Sequence, residues 1–86
     1  MASYRVLIKP SAAKEIEAVD QKKVRSRIVA RIRSLAEDPR PPGCEKLTGR
    51  DQYRVRVGRY RIPYSVGDTE LIVIVVRVGH RKDVYR

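Results

Sequence analysis

From Tyr53 to Ser65 apolar and basic residues alternate with period two, Tyr53, Val55, Val57, Tyr60, Ile62 and Tyr64 against Arg54, Arg56 and Arg61. That alternation predicts two strands. With Gly58 and Arg59 as a two-residue loop, the leading glycine suits a type II′ hairpin turn and sets Val57 opposite Tyr60. Arg56 then faces Arg61 across the ladder, and Arg54 faces Pro63. Like charges directly opposed destabilise a sheet, so the arginines read as an anion site in preference to a solvated face. Tyr53, Tyr60 and Tyr64 fall on the apolar side and read as core. Pro63 has no amide hydrogen to give the next strand, which predicts a lost ladder bond or a bulge there.

The same patterning organises the rest of the chain. Tyr4, Val6 and Ile8 alternate with Arg5, Leu7 and Lys9 in a first strand that Pro10 closes. Ser11 is placed to N-cap a short helix with Ala12, Ile16 and Val19 on one side. Asp20 is placed to cap a longer helix in which Val24, Ile28, Ile32 and Leu35 recur at helical spacing, widened by Val29 and Ala36. Arg25, Arg27, Arg31 and Arg33 cover its other sides and read as a solvated basic face outside the site. Asp38-Pro39 ends the helix. A Pro- and Gly-rich connector or binding loop follows to Asp51, with Leu47 as its anchor and Cys44 incidental. After the hairpin come a turn at Gly67-Asp68 and the run Leu71 to Val76, too apolar to face water on either side. It reads as the central strand around which the sheet is built. The expected fold class is α+β, two N-terminal helices packed on one face of a four-stranded, mainly antiparallel sheet, with the arginine face of the hairpin open.

Composition narrows the partners. The 86 residues predict one domain spanning 1–86. Twenty Lys and Arg against ten Asp and Glu give a net charge of +10, which points to a polyanion: nucleic acid, an acidic protein or, less favoured, a membrane surface. One cysteine and one histidine exclude an intrachain disulfide and a Cys/His zinc cage, so neither metal nor cofactor is expected. No export signal is visible, and the longest apolar run is far short of the roughly 20 residues of a membrane helix. The expected location is the cytoplasm, with no membrane partner.

The elements run in the order strand, helix, helix, hairpin, apolar strand, basic tail, and with them come four stretches, Lys46-Leu-Thr-Gly49, Tyr53-Arg-Val-Arg-Val-Gly58, Tyr60-Arg-Ile-Pro-Tyr-Ser65 and Val78-Gly-His-Arg-Lys-Asp-Val-Tyr85. In this the chain resembles the RelE toxins of the RelE/ParE superfamily, nearly end to end. The resemblance implies a RelE-like, microbial-RNase-like fold. It also implies an mRNA endonuclease acting in the ribosomal A site and silenced by a cognate antitoxin, acidic and partly disordered.

Carried over residue by residue, the family's basic hairpin positions fall on Arg54, Arg56 and Arg61, its arginine after the last strand on Arg81, and its C-terminal tyrosine on Tyr85. Arg59, Lys46 and Lys82 join Arg54 and Arg56 as RNA contacts. Metal-free cleavage by 2′-OH attack builds charge on the phosphate oxygens, which forked guanidinium groups can hold. Lysines on the first hairpin strand of the best-known member are here Arg54 and Arg56. Arginine stays protonated and cannot serve as a base, so the base falls to Tyr85 or, as a secondary candidate, His80. The competing readings are a ParE-like DNA gyrase inhibitor, whose relatives lack the basic residues and C-terminal tyrosine as a set, and a non-catalytic basic module that binds RNA or an acidic protein.

Overall fold

A computed structural model describes residues 3–48 and 51–80. Its elements in chain order are β1 (Arg5–Ile8), α1 (Pro10–Glu17), α2 (Lys22–Ser34), β2 (Glu45–Lys46), β3 (Gln52–Val57), β4 (Tyr60–Gly67), β5 (Ile72–Val75) and β6 (Gly79–His80). The two helices cover one face of a mixed sheet, as expected. There are six strands where four were expected, because the connector and the start of the tail each add a two-residue strand, β2 and β6.

Both helix starts differ from expectation. Pro10 is the first residue of α1 and Lys9 its N-cap, so Ser11 caps nothing. A proline's missing amide costs nothing at the first helical position and its fixed φ suits the helix, which outweighs the cap Ser11 offered. Gln21, not Asp20, is the N-cap of α2. The amide of Val19 donates to the Ile16 carbonyl at 3.1 Å, closing α1 so late that Asp20 falls in the connector. Neither helix has a side-chain cap hydrogen bond or an acid in its first turn. Packing holds them instead: Ala12, Ile16, Val19, Ile28, Ile32 and Leu35 are buried against Val55, Val57, Ile62, Tyr64, Val73 and Val75 of the sheet.

The strand order is β1-β5-β4-β3-β2, with β6 also paired to β4. Only β1 and β5 run parallel. The apolar strand β5 is interior, between β1 and β4, but the hub is β4, which pairs with β3, β5 and β6. Ile72 and Ile74 of β5 are half-buried, since the helices cover only the other face. The hairpin register is the expected one: Val57 pairs with Tyr60, Arg56 with Arg61 and Arg54 with Pro63. Gly58 has φ of 57°, and Arg59 is not among the non-glycine residues of positive φ. A type I′ turn needs positive φ at both positions, so type II′ fits.

Pro63 sits where β4 changes partner. Tyr64 to Gly67 pair with β5, whereas Tyr60 and Arg61 pair with β6. Val76 lies beside Pro63 on that edge, and the return bond of this antiparallel pair would come from the amide that proline lacks, so one ladder bond is lost, as expected. The Pro63 carbonyl still accepts from the Val76 amide at 3.0 Å, the last contact before residues 76–78 leave the sheet.

The connector after α2 is fastened by the core tyrosines. Tyr64 donates to the Pro39 carbonyl at 2.6 Å, and Arg40 donates from Nε to the Tyr53 hydroxyl at 2.9 Å with its guanidinium 5.0 Å from that ring's centroid. Arg40 also forks onto Asp68 at 2.7 and 3.1 Å, and Tyr4 donates to the same carboxylate at 2.7 Å. Pro39 and Pro41 are buried and Cys44 packs against the core, while Leu47 is only half-buried outside it. The connector is therefore anchored by its prolines, Cys44 and Arg40, not by Leu47. Rigid proline rings and a guanidinium on a tyrosine face supply contacts that a search for aliphatic anchors overlooks.

Two outcomes test this frame. A Cβ at Gly58 would meet nothing within 4 Å, so Gly58→Ala adds only the left-handed backbone penalty. It should cost about 1 kcal/mol in urea unfolding; an unchanged midpoint would mean the turn relaxes at no cost. Asp68 has its pKa lowered to about 2 by the Arg40 guanidinium and the Tyr4 hydroxyl. A lowered folded-state pKa contributes stability above the unfolded value that is lost as pH falls through the folded one. The stability difference between wild type and Asp68→Asn should therefore be constant above roughly pH 5, fall as the pH drops through about 2, and be gone towards roughly pH 1.

Candidate functional site

The uncovered face of the hairpin carries Arg54, Arg56 and Arg61, and β2 lays a carboxylate across it. Glu45 is the cross-strand partner of Arg54, which puts the two side chains on one face. Glu45 Oε2 accepts from Arg54 at 2.6 Å, and its Oε1 accepts from Arg56. Arg54 is only 6% exposed, so the face is not fully open as expected. A buried guanidinium needs a counter-charge and hydrogen-bond acceptors, and β2 delivers one. Arg56 remains exposed and Arg61, directly across from it, is half-buried. The guanidinium groups of Arg56 and Arg54 hold the Glu45 carboxyl below its ordinary pKa. The arrangement is two arginines holding one carboxylate, with a third directly across the ladder from Arg56.

Glu15 of α1 steers the chain towards this site. Its carboxylate accepts from the Val78 amide at 2.9 Å and from Arg77 at 3.1 Å, fixing the segment between β5 and β6. Gly79 is thereby paired with Arg61, and His80 with Tyr60. The His80 ring meets the Tyr60 ring edge-on at 5.8 Å between centroids. Cross-strand partners share a face, so His80 lies on the helix side of the sheet with Tyr60, not with the three arginines.

The remaining expectations divide cleanly. Arg59 is exposed at the hairpin turn, and Lys46 is exposed on β2 opposite Tyr53. Arg81, Lys82 and Tyr85 lie outside the described residues. Among the described residues no group of three or more His, Cys, Asp and Glu is placed to hold a metal ion. No helix there is long and apolar enough to cross a membrane. Glu45 and Glu15 were not singled out by the sequence pattern. The signal for Glu45 is faint: it is the one acid between Asp38 and Asp51, just ahead of a basic hairpin.

Comparison with known proteins supplies the family. A family model described as the ParE toxin of the type II toxin-antitoxin system parDE matches residues 6–85. The chain belongs to this family. A putative RelE-like toxin protein of Escherichia coli is 30% identical over 86 residues, covering 95% of this chain and 90% of its own. A chain of the archaeal RelE–RelB complex from Pyrococcus horikoshii OT3 is 26% identical with a TM-score of 0.80, over 95% of this chain and 99% of that one. The E. coli toxin RelE, as an arginine-to-alanine double mutant in the free state, is 27% identical with a TM-score of 0.78, over 95% and 87%. The protein is thus a RelE-like toxin of the RelE/ParE superfamily, as its motifs implied.

Because Glu45 occupies guanidinium donors that an incoming phosphate would use, Glu45→Gln should bind inorganic phosphate several-fold more tightly while unfolding more easily, since Arg54 loses its counter-charge. Equal phosphate affinity by titration would show that Glu45 does not compete for the site.

Proposed function

We propose that this toxin is a metal-independent mRNA endonuclease, acting in the cytoplasm on mRNA in the ribosomal A site. The observation that carries the reading is the arginine cluster of the hairpin, two of whose members already hold a carboxylate. Arg54 and Arg56 already hold one oxyanion, with Arg61 across the ladder. A phosphodiester that replaces the Glu45 carboxylate meets forked donors suited to two of its oxygens.

The chemistry follows from what those groups can and cannot do. The 2′-oxygen attacks phosphorus, the bond to the 5′-oxygen breaks, and a proton moves from the first oxygen to the second by way of the enzyme. Charge builds on the non-bridging oxygens in between, where Arg54, Arg56 and Arg61 stabilise it. None of the three accepts a proton. Tyr85 is the acceptor that the family pattern supplies, and Arg81 stands beside the leaving oxygen in that pattern. His80 faces the helix side and is the weaker candidate. Glu45 enters as a third: once phosphate takes its arginines, the cause of its lowered pKa is gone and it is a stronger base.

The RelE–RelB complex among the similar structures supports a cognate antitoxin as partner. An acidic segment suits the arginine cluster. Apolar residues suit the β1 edge at the far end of the sheet, where Leu7, Ile8 and Leu71 are 44%, 41% and 39% exposed. A chain disordered before contact would order over both.

The match to a family described by ParE favours one second reading, inhibition of DNA gyrase. Induced expression with mapping of mRNA ends separates the two. Cuts within translated codons are expected, and Arg61→Ala should reduce them by about 100- to 1,000-fold, the cost of removing one oxyanion donor. Arg81→Ala and Tyr85→Ala should do likewise. Intact mRNA accompanied by double-strand DNA breaks would replace the nuclease with the gyrase reading, and full toxicity in all three variants would remove the site.

A further inference from the structure

Two adjoining depressions flank the hairpin turn on the helix side, with volumes of about 590 and 440 Å³. They share Arg27, Val57 and Gly58, so they form one groove passing over the turn. At one end it is walled by Arg31, Ser34 and Arg56, the last of these also part of the arginine cluster. At the other end it is walled by Val24, Arg59, Tyr60 and His80. No acid lines the first half and Asp20 alone lines the second.

Arg27 and Arg31 are one helical turn apart, which sets their Cβ atoms about 6 Å from each other on the same face. That is close to the separation of neighbouring phosphates on an extended strand. Neither makes an ion pair with a described residue, whereas Arg40, Arg54, Arg56 and Arg77 each do. The far end offers flat rings and an aliphatic wall, the surfaces on which unpaired bases pack. Basic residues on α2 that read as a solvated face from sequence are therefore half of a channel leading away from the candidate site.

We propose that this groove is the track of the single-stranded RNA flanking the scissile phosphate, with Arg31 and Arg27 on successive phosphates and the cleft between Val24, Tyr60 and His80 receiving a base. The inference rests on the nuclease reading and extends its site from the hairpin to α2. An acidic peptide would find the charges but would leave the ring-lined end without a matching group, so RNA is favoured.

The test uses the full chain and a short single-stranded RNA with a 2′-deoxy nucleotide at the cleavage position, titrated by fluorescence anisotropy at several salt concentrations. Arg27→Gln/Arg31→Gln should weaken binding at least tenfold at low salt and reduce the salt slope by about 1.4, the share of two phosphate contacts on a single strand. Lys23→Gln/Arg33→Gln removes the same charge outside the groove and should leave the slope nearly unchanged. Equal losses in both variants, or an unchanged slope in the first, would overturn the track while leaving the nuclease reading intact. A wild-type chain that binds no free RNA would overturn the track, while the nuclease reading, which places the substrate in the ribosomal A site, stands or falls on the mapping of mRNA ends. Loss of affinity for a Glu-rich peptide without loss for RNA would reassign the groove to an acidic protein partner. Circular dichroism of each variant confirms that the fold is retained.

Discussion

The site depends on β4 being a strand with three partners. A strand has two edges, and β4 uses one for β3 from Tyr60 to Ser65 while dividing the other between β5 and β6. The division falls at Pro63, whose carbonyl accepts from Val76 but which has no amide hydrogen to return, so the ladder is interrupted there. Because β5 stops there, the chain can cross from the buried interior of the sheet to the hairpin turn within a few residues. Glu15 of α1 holds that crossing in place through Val78 and Arg77. Arg61 consequently has both Arg56 and Gly79 as neighbours, and residue 80 ends at the turn. Moving the proline by one position would shift the place where the basic tail begins.

Electrostatics then explains why such a sheet face is stable without substrate. A charge of +10 on 86 residues opposes compaction, and the most costly cation is Arg54, which is almost wholly buried. Removing an ion of that kind from water costs several kcal/mol unless a partner offsets it. Glu45 is shared between Arg54 and Arg56, so one acid relieves both the burial cost and part of the repulsion across the ladder to Arg61. The same sharing leaves a negative group held between two guanidinium groups, the arrangement that the proposed phosphate would take over.

How much of this was legible in the sequence depended on the kind of signal. The hairpin register followed from period-two alternation and one glycine, because a two-residue loop leaves no freedom once its type is fixed. The buried stripe of α2 followed from Ile28, Ile32 and Leu35 for the same kind of reason. Helix starts were misplaced, since Ser11 and Asp20 have the right chemistry for caps but Pro10 and the closing turn at Val19 decided the boundaries. Strands of two residues leave no periodicity to read, so β2 and β6 were invisible, and with them the carboxylate on Arg54 and the placement of His80. The arginines were recognisable as a cluster, but not which of them is buried. That depends on a contact between residues 45 and 54, set by a connector whose anchors are prolines and a cation on a tyrosine ring.

The fold by itself does not choose between nuclease and gyrase inhibitor, since one scaffold carries both within the superfamily and function resides in groups grafted onto it. What discriminates is whether those groups form a usable constellation. A surface that only needed to grip an acidic protein could leave its arginines spread and exposed. Here one arginine is buried at a cost, a second is set directly against a third, and a carboxylate is spent to keep them together. Preorganising cations before any ligand arrives is unfavourable for folding, but it removes reorganisation when charge develops on a bound phosphate. That trade has a purpose in catalysis of phosphoryl transfer and little in simple adhesion. On the proposed nuclease reading, arginine rather than lysine on β3 leaves the hairpin to supply charge and geometry while proton transfer falls to the groups around it, and Glu45 is the one carboxylate among the described residues that already touches the arginines.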